Sequence, residues 1–203
     1  SPSKGLIREH FNPVEIAKEY QLGGAACISV LTDEKYFQGH LQYLEQISKE
    51  TPLPLLRKEF VVDPYQVYQA RVAGASAVLL IAECLQPTQL KELHDLVVEL
   101  DMTPLVEFHE AENLEMSLES GAQLIGVNNR DLTNFTVDLG TTEHLAKRIT
   151  ESGGAEKVLV AESGIHSRAD VERLEKCGAR AILVGTSLMR QPDISAKAAE
   201  LLG

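Results

Sequence analysis

The chain has 203 residues, a formal net charge of −11 and a pI of about 5.0. Basic residues are in excess nowhere along it, which argues against a nucleic-acid partner. The opening SPSKGLIREH lacks the apolar segment of a signal peptide, and the longest apolar runs are far shorter than a membrane span. We therefore expect a cytoplasmic protein that binds neither nucleic acid nor membranes.

Apolar runs of strand length recur along the chain, and each is followed by a helical pattern. They are rich in Val, Ile and Leu on both faces, which is typical of a parallel sheet that is covered on both sides. The predicted strands cover residues 25–31, 55–60, 77–82, 104–108, 124–128, 158–162 and 181–185.

The segments between these strands predict helices. Asn12 with Pro13, and Asp63 with Pro64, are helix-start signals, since Asn and Asp cap a first turn and Pro fits its first position. Further amphipathic helices are predicted at 87–100, 110–120, 141–150 and 167–177, and the last covers 194–202.

Seven strands that alternate with helices, with one helix before the first strand, predict the fold class, an α/β protein of the TIM (β/α)8 barrel type. A parallel β/α architecture should begin with a strand, so we expect strand 1 to be missing immediately before Ser1 and residues 1–203 to form a single, incomplete barrel domain. The alternative is an open doubly wound sheet, which would normally show a Gly-rich turn after its first strand.

Polar residues stand at the ends of several predicted strands. Barrel enzymes place catalysis at the carboxyl ends of their strands. Lys58, Glu107, Asn128 and Glu162 all lie at such ends, where a charged side chain is costly unless it is paired or used. We therefore expect these four side chains to converge on one mouth of the barrel.

Strand parity predicts which side chains point inward. Side chains alternate along a strand, so if Lys58 points into the barrel, Leu56 does too, while Arg57 faces the helix layer. Likewise Leu105 should lie beneath Glu107.

Two glycine-containing turns, ESGIHS at 162–167 and VGTSLM at 184–189, follow the last two strands. Barrels often bind phosphate at these positions through backbone N–H groups. An acidic protein that binds an anion must concentrate positive potential locally. We expect these amides, Lys58 and Arg130 to supply it.

Three cysteines, Cys27, Cys84 and Cys177, form no CxxC pair and lie in or beside apolar segments. We interpret them as small buried residues in a reducing compartment. The six histidines form no HExxH or paired ligand spacing, so the sequence predicts no structural metal site.

Motifs spread over the whole chain resemble the signature segments of the indole-3-glycerol-phosphate synthase family, and they occur in the family's order. They are SPSKG, SVLTDEKYFQG, LRKEF with DPYQ, VEFH, GVNNRDL, AESGI and LVGTSLM. The resemblance implies a lyase of tryptophan biosynthesis that closes the indole ring of 1-(2-carboxyphenylamino)-1-deoxyribulose 5-phosphate, with loss of carbon dioxide and water. It implies no metal or organic cofactor.

The resemblance also implies catalytic roles. Lys58 matches the lysine of the family's third strand, a general acid at the substrate carbonyl. Glu107 matches the fifth-strand glutamate, a general acid/base in later steps. Asn128 and Glu162 match residues that orient the substrate and assist proton transfer, and Ser163 is placed with them.

Substrate contacts are implied in the same way. Phe37 and Phe60 match aromatic residues of the anthranilate pocket, and Ser1 and Arg130 match positions near the substrate's polar groups. The phosphate-binding turns match Ser163, Gly164, Gly185 and Thr186, with Ser187 adjacent.

One departure from the family keeps alternatives open. The family's first strand precedes SPSKG and carries an essential lysine and a glutamate, and this sequence starts after them. The chain could therefore be a catalytically incomplete fragment that binds phosphate ligands. Phosphoribosylanthranilate isomerase, a neighbouring barrel that uses a cysteine and an aspartate, is disfavoured by Lys58 and Glu107. A fused or associated tryptophan-pathway enzyme also stays open.

Overall fold

The computed structural model describes residues 5–203, so Ser1 lies outside the described residues. One parallel sheet contains seven strands in chain order, each paired with the next. This order confirms the barrel prediction and excludes the doubly wound alternative, in which the strand order reverses. The strands are β1 Ile28–Leu31, β2 Leu55–Lys58, β3 Ala77–Ile81, β4 Thr103–Phe108, β5 Leu124–Asn128, β6 Val158–Glu162 and β7 Ala181–Leu183.

Strand bounds follow the predictions most closely in the middle of the sheet. β5 and β6 have the predicted bounds, whereas β1 begins later and β7 ends earlier. These two strands are hydrogen-bonded on one side only in the described residues, so their ends lack partners. β2 ends early because the chain turns after Lys58 into the cap of the next helix, where Gln66 Oε1 accepts from the N–H groups of Val62 and Asp63.

The helices begin at the expected capping residues. Asn12 accepts from the N–H groups of Val14 and Glu15, and Asp63 accepts from Tyr65 N. Among residues 5–203, no helix is long and apolar enough to cross a membrane. The helices are α1 Pro13–Leu22, α2 Leu41–Ser48, α3 Pro64–Val72, α4 Pro87–Glu99, α5 Leu114–Glu119, α6 Gly140–Ile149, α7 Arg168–Lys176, α8 Thr186–Met189 and α9 Ile194–Leu202.

The sheet is curled, with a small apolar cluster on its inner face. Leu56, Leu79, Leu105 and Val160 belong to this cluster, separate from the larger core between sheet and helices. Leu56 lies on β2 and Val160 on β6, which would be about 19 Å apart in a flat sheet. Their common cluster requires a barrel-like curl and confirms the inward parity of Leu56 and Leu105.

The first and last helices of the outer layer also pack together. α1 contacts α9, and a Cβ on Gly23 would lie only 2.6 Å from Ala198 Cβ. In the described residues β1 and β7 nevertheless do not pair. The helix layer is thus closed at the place where the sheet is open.

The cysteines are less buried than the sequence suggested. All three are free thiols; Cys27 and Cys84 are exposed and Cys177 is partly buried. Cys27 precedes the outer strand β1, and Cys84 lies in the short turn after β3, so neither reaches the core. The predicted burial of the first two is therefore wrong.

Candidate active site

Three strand ends meet inside the curl of the sheet. Lys58 Nζ, at the end of β2, lies 3.0 Å from Glu107 Oε2 on β4 and 3.1 Å from Glu162 Oε2 on β6. The side chains of Glu107 and Glu162 are only 3% and 1% exposed, and that of Lys58 is 25% exposed. Parity brings these three together because each is the last inward-facing residue of its strand.

Asn128, at the end of β5, completes this cluster. Its Nδ2 donates to Glu107 Oε1 at 2.8 Å, and its Oδ1 accepts from Arg130 N at 3.0 Å. Both oxygens of Glu107 therefore have donors, which fixes the plane of its carboxylate. Asn128 is itself buried, so the amide holds one orientation.

The two carboxyl groups have different protonation states. Burial and the nearby charge of Glu107 raise the pKa of Glu162 to about 8. Burial also acts to raise the pKa of Glu107, but Lys58 and the hydrogen bonds from Glu162, Lys58 and Asn128 bring it below its ordinary value. Burial acts to lower the pKa of Lys58, and the two carboxylates outweigh it and raise that pKa. Near neutral pH the cluster thus holds an ammonium, a carboxylate and a protonated carboxyl group.

This balance corrects one expectation about charge. Lys58 is offset by Glu107 in direct contact, so it adds little net positive potential to the mouth of the barrel. Arg130 Nη1 donates to Phe135 O at 3.3 Å in the loop after β5. Positive potential for an anion is therefore left to Arg130 and the backbone amides.

A glycine makes room for the Glu162 carboxyl group. A Cβ on Gly126, the inward-facing residue of β5 opposite Glu107, would lie 2.5 Å from Glu162 Oε1. That oxygen is buried and has no hydrogen-bond partner among the described residues. Gly126 could not be identified from the sequence, because a glycine inside a strand gives no sign of what fills the space beside it.

Gly126→Ala should therefore displace the Glu162 carboxyl group from Lys58. We expect turnover to fall by up to about 10²-fold, the cost of misplacing a reacting group by about 1 Å. The pH dependence of turnover should shift as well, because the contacts that set the Glu162 pKa are lost. A pH–rate profile beside a thermal melt tests this, and an unchanged profile in a folded variant would contradict it.

The raised pKa of Glu162 also predicts how the stability of the protein depends on pH. The unfolded chain releases this proton near the ordinary value of 4.5, while the folded protein keeps it to about 8. Between these values the folded state binds more protons, so the free energy of unfolding should fall as pH rises, by at most about 1.4 kcal/mol per pH unit.

Glu162→Gln should remove this slope, since the amide does not titrate. Denaturant unfolding at several values between about pH 5 and about pH 8 measures it. Glu92→Gln, on the exposed face of α4, is the matched control and should keep the slope of the parent. A slope that survives in Glu162→Gln would show that another group causes it.

The predicted aromatic residues also come together. The ring centroids of Phe37 and Phe60 are 6.4 Å apart, on the loops that follow β1 and β2. Arg57 faces the helix layer, as parity predicted, and its Nε donates to Thr32 Oγ1 at 3.1 Å. Thr32 in turn donates to Glu59 Oε2 at 2.6 Å, which ties the two loops to each other.

The turn after β6 has an unusual backbone. Ser163 and Gly164 both have positive φ, 65° and 78°. A Cβ on Gly164 would lie 2.5 Å from Val137 Cγ1, so both conformation and space require glycine there. Ser163 is not a glycine and adopts a conformation that L-residues seldom occupy outside turns and functional sites.

The turn after β7 lies next to it. Ser187 Oγ donates to Ile165 O at 2.8 Å, which joins the two turns. Gly185 precedes the short helix α8, which the sequence analysis treated as a turn, and the space where its Cβ would be is open. Thr186 is the first residue of α8, so the Ser187–Ile165 hydrogen bond holds side by side the two turns that contain the predicted phosphate-binding residues.

The chain is similar in sequence to known enzymes over its whole length. The family model for indole-3-glycerol phosphate synthase matches residues 1–201. An indole-3-glycerol phosphate synthase of Rhodopirellula baltica is 55% identical over 202 residues, covering 100% of this chain and 76% of that protein. One of Dehalococcoides mccartyi strain CBDB1 is 50% identical over 205 residues, covering 100% of this chain and 78% of that protein.

Solved structures support the fold. KGPDC from Streptococcus mutans aligns with a TM-score of 0.72 at 12% identity, over 95% of this chain and 92% of its own. The N-acetylmannosamine-6-phosphate 2-epimerase of Clostridium perfringens aligns with a TM-score of 0.67 at 16% identity, over 85% and 77%. Structural likeness shows the barrel-like fold, and sequence similarity decides the family: the chain belongs to the indole-3-glycerol phosphate synthase family.

Proposed function

We propose that this chain catalyses the ring-closing decarboxylation of its family, with 1-(2-carboxyphenylamino)-1-deoxyribulose 5-phosphate as the substrate. The observation that supports this most is the contact of Lys58 with two buried carboxyl groups at the mouth of the barrel. Ring closure needs an acid at a ketone, and the later dehydration needs both a base and an acid.

Lys58 is the acid of the first step. As the aryl carbon bonds to the carbonyl carbon, the carbonyl oxygen takes a proton from Lys58 and becomes a hydroxyl group. The raised pKa keeps Lys58 protonated at neutral pH, so the proton to be donated is present. Loss of carbon dioxide then restores the aromatic ring.

Dehydration uses the two carboxyl groups in opposite roles. Glu162 holds a proton near neutral pH and gives it to the departing hydroxyl group, which leaves as water. Glu107 is ionised and removes the proton whose loss completes the indole. Asn128 fixes the plane of the Glu107 carboxylate. The roles of Glu162 as acid and Glu107 as base follow the rule that an acid and a base need separated pKa values.

Binding groups surround this cluster. Phe37 and Phe60 enclose the anthranilate ring, and Arg130 faces the polar end of the substrate. The adjoining turns bind the phosphate through the residues Ser163, Gly164, Gly185, Thr186 and Ser187. Holding both ends of a flexible substrate brings its reacting carbons together, which lowers the entropic part of the barrier.

The decisive experiment measures formation of indole-3-glycerol phosphate by this chain. We expect turnover of this substrate and none of phosphoribosylanthranilate. Binding of substrate without turnover would favour the fragment alternative instead, and turnover of phosphoribosylanthranilate would contradict the proposal.

Because β1 and β7 do not pair in the described residues, the experiment needs a second part. We propose that an eighth strand between β1 and β7 completes the barrel, because α1 and α9 already close the helix layer there. Adding the part of the Rhodopirellula baltica relative that lies outside the match should raise both the melting temperature and turnover. An unchanged melting temperature would contradict the eighth strand and leave the proposed reaction standing.

We also propose a cytoplasmic location, because the three cysteines are free thiols and exposed thiols persist in reducing compartments. An associated tryptophan-pathway enzyme belongs to the same proposal, and co-purification from the native host tests it.

A further inference from the structure

Asn129, next to Asn128, has every polar atom engaged within the protein. Its Nδ2 donates to Glu162 O at 3.0 Å and to Ser163 O at 3.2 Å. Its Oδ1 accepts from Thr142 N at 3.1 Å and from Thr142 Oγ1 at 2.7 Å. The backbone is paired too, with Asn129 N donating to Glu162 O at 2.8 Å and Asn129 O accepting from Asp138 N at 3.0 Å.

This pattern separates the two neighbouring asparagines. Asn128 points into the barrel and holds Glu107, whereas Asn129 is 1% exposed and faces the helix layer. An amide with two donor and two acceptor bonds has no hydrogen-bonding capacity left for a substrate. Asn129 is therefore a positioning residue.

The groups that Asn129 positions lie in the turn after β6. The two carbonyl groups that Asn129 Nδ2 holds, those of Glu162 and Ser163, begin the two peptide units on either side of Ser163. In a trans peptide unit the C=O and N–H groups point in opposite directions. Fixing both carbonyls toward Asn129 therefore directs the N–H groups of Ser163 and Gly164 to the other side. Successive N–H groups on one side form a typical anion cradle.

Asn129 also accounts for the positive φ of Ser163. Such a backbone conformation persists in a non-glycine residue only where its surroundings fix it. The two carbonyl contacts do so from one side, and Thr142, in the first turn of α6, fixes the amide from the other. The turn is thus anchored to β5 and α6 at once.

We propose that Asn129 is the positioning residue of the phosphate turn: through its amide it sets the turn at Ser163 and Gly164 so that their N–H groups bind the substrate's phosphate. This rests on the proposed function for the identity of the phosphate ester. An aspartate could not replace it, since a carboxylate would place lone pairs against the carbonyl oxygens of Glu162 and Ser163 in place of two donors.

The test uses Asn129→Asp, which keeps the size of the side chain. Binding of inorganic phosphate is measured by calorimetry, and kcat and KM are measured with the full substrate. We expect the Kd for phosphate and the KM to rise about tenfold or more, as for two lost hydrogen bonds, with a smaller change in kcat. Asn12→Asp is the matched control, because aspartate caps α1 as well as asparagine does.

The outcomes separate this inference from the proposed function. A folded Asn129→Asp protein that binds phosphate as tightly as the parent overturns it, since a purely structural role changes stability but not the Kd of the folded protein. If Asn129→Asp does not fold, Thr142→Val decides, with a raised Kd for phosphate expected and an unchanged Kd overturning the inference. A parent that binds phosphate but shows no turnover contradicts the proposed reaction alone.

Discussion

Replacing Lys58 with methionine is expected to abolish ring closure while leaving the fold intact. Methionine matches the length of the lysine stem but has no proton to give to the substrate carbonyl. The loss should be about 10⁴-fold or more, the upper end of the range for a general acid, because the carboxyl groups of Glu107 and Glu162 also lose their shared cation. Single-turnover formation of the cyclised product measures this step directly.

Lys18→Met is the matched control for this variant. Lys18 lies on the exposed side of α1 and pairs with Glu50 at the surface, so its loss should leave turnover unchanged. Both variants should be measured in the bare chain and in the chain extended with the remainder of the relative. Turnover of Lys58→Met within a few-fold of the parent would show that the acid at the carbonyl is another group.

The folded state of Lys58→Met needs its own measurement. Breaking a buried ion pair by removing one partner typically costs about 3–5 kcal/mol, because the other charge is left uncompensated. Glu162 already holds a proton up to about pH 8, so one negative charge, that of Glu107, remains at neutral pH. A thermal melt at mildly acidic pH, where Glu107 is more readily protonated, should show the smallest loss of stability.

The convergence of Lys58, Glu107 and Glu162 could be predicted from the sequence for a simple reason. In a parallel barrel all strands end at the same mouth, and alternation along each strand fixes which side chains face inward. A polar residue at an inward-facing strand end is therefore located without knowledge of any contact. The strand order followed equally directly from the regular alternation of apolar runs and helical segments.

Other features depend on contacts between distant segments, and the sequence does not express them. Gly126 matters because a carboxyl group from the neighbouring strand fills the space beside it. Alternation along β5 places Asn128 and Asn129 on opposite faces, but only contacts with other segments show that one holds Glu107 and the other holds the carbonyl groups of Glu162 and Ser163. The exposure of Cys27 likewise depends on where the outer strand begins.

The charge balance at the mouth of the barrel could not be predicted from the sequence either. Lys58 and Arg130 were both expected to attract an anion, but pairing distances decide how much of each charge remains. With Lys58 offset by carboxylates, the proposed binding of phosphate depends mainly on the orientation of backbone amides. Under that proposal Asn129, which carries no charge, contributes to recognition of a charged group.

Glu107→Gln is expected to lower turnover by roughly 10² to 10⁴, the usual range for a lost acid/base group. The amide keeps the shape of the carboxylate but cannot accept a proton in the dehydration step. It also turns one of its two acceptor oxygens into a donor, which then faces either Lys58 or Asn128. The KM should change much less, because the turns proposed to bind phosphate are untouched. Steady-state kinetics and single-turnover kinetics together measure both effects.

The reaction step at which each variant stops distinguishes the role of Glu107 from that of Lys58. If Glu107 serves the later steps, Glu107→Gln should still close the ring and release carbon dioxide, and should accumulate the cyclised intermediate that has not lost water. Lys58→Met should accumulate only unreacted substrate. Glu92→Gln, on the exposed face of α4, is the control that should behave like the parent. A Glu107→Gln protein that keeps its rate and loses affinity would instead make Glu107 a substrate-positioning residue, because a lost proton acceptor slows the chemistry of bound substrate and leaves its binding nearly unchanged.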